Sequence, residues 1–198
     1  FAFTDRDGAF TLSNLTGLAG YASVFFLSLL LAVIATALCL VIAYPISFML
    51  SRLRSGRHGI MLMLVMLPMW MNFLLRTYAW MSLLERNGLI NKFLGLFGIG
   101  PFEMINTAGA VVLGMVYNYL PYMILPLYTA MLKIQPSIIE AAEDLGAGTW
   151  HKLTRVLIPL SKPGIKTGIT MVFVPSISTF IISKMLGGGN FWLIGDLI

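Results

Sequence analysis

The chain has 198 residues and a formal net charge of +5, and 58% of its residues are hydrophobic while only 11% are charged. Soluble domains carry about 25% charged residues, so this composition, with a mean hydropathy of +0.88, excludes that class and predicts an integral membrane protein. The single cysteine, Cys39, allows no internal disulfide. We expect it to be buried as a small apolar residue.

Long uncharged runs divide the chain into four predicted membrane spans. No residue from Gly8 to Ser51 is charged, and further uncharged runs cover 59–75, 104–132 and 167–183. A helix crosses a bilayer with about 20 apolar residues. We therefore predict an all-α membrane bundle, in one transmembrane domain over 1–198, with spans near 23–50, 60–84, 107–132 and 165–186. Prolines inside these spans are expected to kink or break the helices: Pro68, Pro121, Pro126 and Pro175.

Polar side chains inside the second span are candidates for lining a solute path, because polar groups are costly in a bilayer. Arg76 lies eight residues before the end of this span, and Asn72 lies one turn earlier. Two alternatives stay open for Arg76. Its side chain reaches the lipid headgroups, or it pairs with an external carboxylate such as Glu103.

The third and fourth spans supply the remaining path candidates. Asn118 lies between Tyr117 and Tyr119 and one turn before Tyr122, and tyrosine rings with an amide group can surround an ammonium ion. An interhelical hydrogen bond is the alternative role for Asn118. In the fourth span, Ser176 and Ser178 belong to the most polar run within the membrane, and we expect both on the path.

The segment 137–160 is a polar loop with helical signals of its own. Ser137 precedes Glu140 by three residues, the spacing of a capping box, so we predict that a helix starts at Ser137. Gly146 breaks this helix, Thr149 caps a second one, and Pro159 ends it. The prediction is an amphipathic helix-turn-helix on the membrane surface, whose small residues let another protein approach closely. A surface connector without a partner is the alternative.

Basic residues place this loop on the cytoplasmic side. Loops 51–59 and 133–164 lie on the same side if there are four spans, and positively charged loops face the cytoplasm. The two loops hold Arg52, Arg54, Arg57, Lys133, Lys152, Arg155 and Lys162. Topology thus accounts for the positive net charge, and no nucleic-acid partner is expected.

The same loop carries a recognisable motif: Glu140-Ala141-Ala142, three residues, Gly146, nine residues, and then Val156-Leu157-Ile158-Pro159. It resembles the loop by which permease subunits of bacterial ABC importers hold their ATPase, E-A-A, three residues, G, nine residues, I-x-L-P, with Val and Ile replacing two apolar positions. The resemblance implies that the ATPase-coupling residues are Glu140, Ala141, Ala142, Asp144, Gly146 and Pro159.

Other stretches are similar to the spermidine/putrescine branch of these permeases: 67–70, 76–80, 87–91 and 120–128. The resemblance implies a multi-pass protein of the bacterial inner membrane that transports a polyamine and needs no cofactor. It also implies six spans, with one before residue 1 and one after residue 198. The expected partners are ATPase subunits, a second permease subunit that is identical or homologous, an external solute-binding protein and membrane lipid.

One residue departs from the polyamine pattern. Lys184 lies just inside the external end of the fourth span, where its charge would repel a polycation. An importer of an anionic solute, such as an organic acid or an aminophosphonate, is therefore the alternative within the same class.

Missing features argue against three other classes. A proton- or sodium-coupled secondary transporter usually carries a carboxylate within a span, but all eight acidic residues fall in predicted loops or at span ends. The sequence has no motif of an intramembrane hydrolase and no G-x-x-x-x-G-K-[ST] phosphate loop, so we predict that the chain is not an enzyme and that ATP is hydrolysed on another subunit. A purely structural membrane subunit is the remaining alternative.

Overall fold

The computed structural model describes residues 22–53, 58–179, 181–188 and 193. Their regular structure is helical throughout, and it includes a five-residue π-helical turn at Leu153–Leu157. The helices are α1 Ala22–Ser51, α2 His58–Trp70, α3 Phe73–Leu84, α4 Leu89–Gly95, α5 Ala108–Leu132, α6 Pro136–Asp144, α7 Thr149–Lys152, α8 Ile158–Ser178 and α9 Ile181–Leu186. The predicted all-α class is confirmed. Predicted features in 1–21, including the start of the first uncharged run, lie outside the described residues.

Three long helices, α1, α5 and α8, form the core of the bundle, with α5 in contact with both of the others. The buried face of α1 is made mostly of small side chains, which let the helices approach closely: Ser28, Ala32, Ala35, Thr36, Cys39, Ala43 and Ser47. The opposite face of α1 leaves large apolar side chains such as Phe26 and Val41 exposed. In a membrane protein such a face meets lipid or neighbouring helices.

Polar side chains of α1 fasten it to the other two core helices. The Ser47 hydroxyl donates to the Ile124 carbonyl of α5 at 3.1 Å, and the Tyr44 hydroxyl lies 3.1 Å from the Ser161 hydroxyl of α8. The Cys39 thiol is fully buried and lies 3.7 Å from the Val116 carbonyl oxygen. The expected burial of this cysteine is confirmed.

Glycines on α8 bring it against the backbone of α5. A Cβ atom added to Gly164 would lie 2.6 Å from the Pro126 carbonyl oxygen, and one added to Gly168 would lie 2.6 Å from the Met123 sulfur. The two glycines are four residues apart on one face of the helix, which is the small-xxx-small spacing of close helix pairs in membranes. The α5–α8 pair is therefore tightly packed.

The second predicted span, 60–84, is wrong as a single helix. The chain breaks between α2 and α3 at Met71 and Asn72, and the axes on either side differ by 87°. Pro68 removes a backbone donor near the end of α2, and the Asn72 side chain accepts a hydrogen bond from the Leu74 amide at 2.8 Å, which starts α3 as a new helix. A side-chain cap of this kind favours a fresh helix over continuation of the old one.

The fourth predicted span, 165–186, is also divided. Helix α8 begins earlier, at Ile158, and ends at Ser178, and Thr179 is extended with ψ 128° before α9 begins. The Tyr119 hydroxyl donates to the Pro175 carbonyl at 3.4 Å. By length and composition, α1 and α5 can each cross a membrane. The bent segment that contains α2 and α3 adds a third span if its two parts cross the membrane together.

Contacts at the two ends of the bundle agree with the predicted topology. At one end, Arg52 donates a hydrogen bond to the Ile134 carbonyl at 3.2 Å, which brings the start of loop 51–59 to the start of loop 133–164. At the other end, the Asn106 amide donates to the Leu186 carbonyl at 2.8 Å. The two basic loops therefore begin at the same end of the bundle.

Candidate functional site

The first arm of the loop is α6, and it starts one residue earlier than predicted. Pro136 occupies the first turn, where its fixed φ suits a helix and its missing N–H costs nothing. Gln135 is the N-cap residue, and no side chain caps the helix. The predicted capping box of Ser137 and Glu140 is therefore wrong, because Ser137 lies inside the helix, beyond the position from which it could cap.

Gly146 ends α6 in the predicted place. Its φ is +76°, its amide donates to the Glu143 carbonyl at 2.8 Å, and the next amide, of Ala147, donates to the Ala142 carbonyl at 2.9 Å. This pair of bonds is the Schellman motif, in which a residue with positive φ closes the helix. The left-handed conformation explains the glycine, since a Cβ atom here is strained.

The second arm differs from the prediction at both ends. Thr149 is the first residue of α7 and makes no capping bond, because Gly148 holds the N-cap position. Pro159 does not end a helix. It lies directly after the π-helical turn, in the first residues of α8, and the chain runs helically from α7 through this turn into α8. The second arm is thus continuous with a core helix.

The two arms present an open, mostly solvated surface. Along α6 no residue is buried, and Glu140, Ala141 and Asp144 are exposed while Ala142 is half-buried. Glu143 forms an ion pair with Lys152 that links α6 to α7. Between the arms lies a groove of about 380 Å³ whose lining includes Leu145, Gly146, His151 and Arg155.

Large apolar side chains on both arms remain uncovered. The side chain of Leu145 is 88% exposed and that of Trp150 is 71% exposed. Such exposure costs free energy in water, and a protein partner that covers the side chains removes that cost. The loop therefore combines a concave surface, small residues and exposed apolar side chains.

Among the path candidates, Arg76 is held inside the protein. Its side chain is only 8% exposed, its Nε and Nη1 atoms have no hydrogen-bond partner among the described residues, and its guanidinium lies 5.9 Å from the centre of the Phe73 ring. The alternative pairing with Glu103 is wrong for the described residues, because Arg76 forms no ion pair there and Glu103 instead lies 3.9 Å from Arg86. Burial also excludes a side chain that extends to the lipid headgroups in this conformation.

The aromatic candidates are only partly brought together. Tyr117 packs edge-on against Trp80 of α3, with ring centres 5.3 Å apart, and Tyr122 lies 6.4 Å from Tyr119. Tyr122 is 40% exposed, but Asn118 is 2% exposed. The predicted cage of Tyr117, Asn118 and Tyr122 is therefore not a single open surface.

Asn118 makes a hydrogen bond within its own helix. Its amide donates to the Gly114 carbonyl at 2.9 Å, and its Oδ1 atom is buried with no partner among the residues that the structure describes. The alternative of an interhelical hydrogen bond is therefore wrong for the described residues.

The remaining polar candidates bond to nearby backbone. Asn72 is exposed and caps α3. Ser176 is buried and donates to the Val172 carbonyl at 2.6 Å, whereas Ser178 is exposed and donates to the Val174 carbonyl at 3.4 Å. These bonds satisfy the polar groups locally, so the two serines differ in access although they are neighbours on α8.

Two aromatic residues that the sequence places beside the candidates connect neighbouring helices. Trp80 joins α3 to α5 through Tyr117, and Tyr119 joins α5 to the end of α8 through the Pro175 carbonyl. The spacing of Trp80, four residues after Arg76, places the two on one helix face and was a usable signal. Nothing in the sequence indicated the contact of Tyr119 with α8.

A bundle of apolar helices with an exposed helical loop at one end defines a protein embedded in a membrane. Residues 24–198 match the model of the binding-protein-dependent transport system inner membrane component, and the chain belongs to this family. It is thus the permease component of an ABC importer and a multi-pass protein of the bacterial inner membrane.

Curated relatives agree with this family. The spermidine/putrescine transport system permease protein PotB of Haemophilus influenzae is 40% identical, in a match that covers 100% of this chain and 72% of the relative. The PotB protein of Escherichia coli is 38% identical, with 100% and 75% covered. The inner membrane ABC transporter permease protein YdcU of Escherichia coli is 30% identical, with 95% and 65% covered.

Proposed function

We propose that this chain imports a polyamine, spermidine or putrescine, and forms the translocation path together with a second permease subunit. The observation that carries this proposal is the 40% identity, over the whole chain, to a permease named for spermidine and putrescine. An external solute-binding protein delivers the polyamine, and separate ATPase subunits supply the energy. The chain itself binds no cofactor in this scheme.

Loop 137–160 is the proposed contact with the ATPase, on the cytoplasmic side. The Schellman turn at Gly146 sets the angle between the two arms, and the apolar side chains of Leu145 and Trp150 on these arms are uncovered. Glu140, Ala141, Ala142 and Asp144 lie on the first arm, whereas Pro159 lies where the second arm enters α8. Because the second arm continues into α8, displacement of the loop moves a core helix directly.

The proposed path runs along the aromatic side chains between α3, α5 and α8. Ammonium groups are attracted to the faces of tyrosine rings, and the exposed Tyr122 offers such a face. Asn118 and Arg76 are buried in this conformation. They reach the path only if the helices rearrange, as alternating access requires. Asn72 and Ser178 are exposed to solvent, whereas Ser176 is buried in the core.

Uptake by the whole complex tests the proposal. The chain is co-expressed with its second permease, its ATPase and its binding protein, and accumulation of radiolabelled spermidine or putrescine is measured with and without ATP. We expect ATP-dependent uptake that an ATPase-inactive variant abolishes. Absence of polyamine uptake, together with uptake of an organic acid or aminophosphonate, would instead support the anionic-solute alternative, for which the unpaired guanidinium of Arg76 offers an attractive group.

A further inference from the structure

Arg52 connects the end of α1 to the base of loop 137–160. It lies one residue beyond α1, and its Nη1 atom donates to the Ile134 carbonyl at 3.2 Å. Ile134 is 4% exposed and stands two residues before Pro136, where α6 begins. The bond therefore joins a core helix to the short connector that carries the first arm of the loop.

The chemistry of this contact is that of a helix C-terminus. The last carbonyls of a helix lack partners within the helix and carry partial negative charge. At the end of α5, the Ala130 and Met131 carbonyls accept from the Lys133 and Ile134 amides, and the Ile134 carbonyl beyond them accepts from Arg52. The guanidinium also lies 5.5 Å from the centre of the Phe48 ring, one turn back on α1.

The contact is not optimised for stability. The Nε and Nη2 atoms of Arg52 are buried, and they have no hydrogen-bond partner in the described part of the chain. Buried donors without partners cost free energy, and proteins retain such local costs mainly at functional sites. A cation kept in this position with incomplete bonding points to a functional role beyond fastening two helices.

The two arms of the loop are attached to the core differently. The second arm is continuous with α8, which packs on α5 through Gly164 and Gly168. The first arm, α6, has no buried residue. Within the described residues, the bond from Arg52 is the one side-chain hydrogen bond between the core helices and segment 133–144. Without it, α6 is tied to the core by the buried Ile134 side chain, by the Glu143–Lys152 ion pair to the second arm and by the chain itself.

We propose that Arg52 is a positioning residue for ATP-driven transport. It holds the start of α6 against α1, so that displacement of the loop is passed to α1 as well as to α8. This inference rests on the proposed function, in which loop 137–160 is the contact with the ATPase. Loss of the bond should leave the docking surface intact and reduce the transport obtained from each ATP.

The test measures spermidine taken up per ATP hydrolysed by the complete complex in proteoliposomes. For Arg52→Ala we expect the ATPase to co-purify as in wild type, while the ratio falls about tenfold, the effect of losing a hydrogen bond to a charged group. Arg52→Lys keeps the charge but not the planar guanidinium, so we expect an intermediate ratio. Lys133→Ala removes an exposed charge beside the same carbonyl and serves as the matched control, with the wild-type ratio.

A wild-type ratio in Arg52→Ala overturns the proposal. So does loss of ATPase binding, or a fall in hydrolysis and uptake at constant ratio, because either result indicates a merely structural role. If Arg52→Ala does not assemble, the ratio of Arg52→Lys decides, and a wild-type value then contradicts the proposal. A wild-type complex that takes up no spermidine contradicts the proposed function alone. The Arg52 variants are then compared by the factor with which the loaded binding protein stimulates ATP hydrolysis.

Discussion

At the scale of single residues, a comparison of Gly146 with Gly148 distinguishes the effect of backbone strain from the effect of contact with a partner. Gly146 has a φ of +76°, and a Cβ atom added there would have no described atom within 4 Å apart from its own neighbours in the chain. The space beside Gly148 is equally open, but its φ is −64°. Asparagine tolerates the left-handed region far better than other side chains. It can therefore add bulk at Gly146 with little strain on the turn.

We predict that Gly146→Asn lowers polyamine uptake at least about tenfold, equivalent to about 1.4 kcal/mol, because the added side chain meets the ATPase. The fraction of ATPase that co-purifies with the permease should fall with it. Gly148→Asn is the matched control and should keep most of the polyamine uptake and most of the co-purifying ATPase. Full uptake and full ATPase recovery in Gly146→Asn would remove this glycine from the proposed contact.

At the scale of helices, the apolar runs predicted α1 and α5 to within a few residues, since length and composition alone decide such spans. They did not place the breaks in the other two spans, although Pro68 and Pro175 were expected to kink or break those helices. The break at Asn72 depends on a side-chain cap, and the break at Thr179 follows a carbonyl taken by Tyr119. Both depend on local or long-range hydrogen bonds that a hydrophobic pattern does not contain.

The tight α5–α8 pair could have been found from the sequence. Gly164 and Gly168 are four residues apart, which is a known signal for close helix packing. What the spacing does not give is the partner helix. That required the structure, in which Gly164 faces Pro126 and Ala130.

We predict that Gly164→Ala destabilises the permease by about 1–3 kcal/mol, the usual cost of overpacking. The added Cβ atom would lie 2.6 Å from the Pro126 carbonyl oxygen, and this backbone atom cannot easily move. Thermal unfolding of the purified permease in detergent measures the effect. Gly109→Ala, on α5, is the control, because its Cβ atom would make an ordinary 3.7 Å contact. Equal stability of the two variants would show that the α5–α8 pair can relax.

At the scale of the whole molecule, the position of the loop was easier to predict from the sequence than the residues of the path. The loop was located by its motif and its turn by Gly146, because both depend on sequence-local chemistry. The path residues were chosen by polarity alone, and polarity does not tell which face of a span is covered. Asn118 and Ser176 are consequently buried, whereas Tyr122 and Ser178 are exposed.

The charge of Lys184 distinguishes the two solute classes for the molecule as a whole. Lys184 is exposed on α9, whose buried residues are Ile182, Ser183 and Leu186. An exposed charge acts on a solute mainly within about one Debye length, roughly 8 Å at physiological salt. If a polyamine passes near the end of α9, this lysine repels it weakly, and an anionic solute would be attracted.

We therefore predict that Lys184→Ala leaves spermidine uptake equal to wild type or up to about twofold faster, with the larger gain at low salt, where screening is weaker. Initial uptake rates in proteoliposomes at two ionic strengths measure this. Lys92→Ala removes another exposed lysine, on α4, and should change neither rate. A severalfold loss of uptake in Lys184→Ala alone, strongest at low salt, would mean that the lysine attracts the solute, and the anionic-solute alternative would then replace the polyamine.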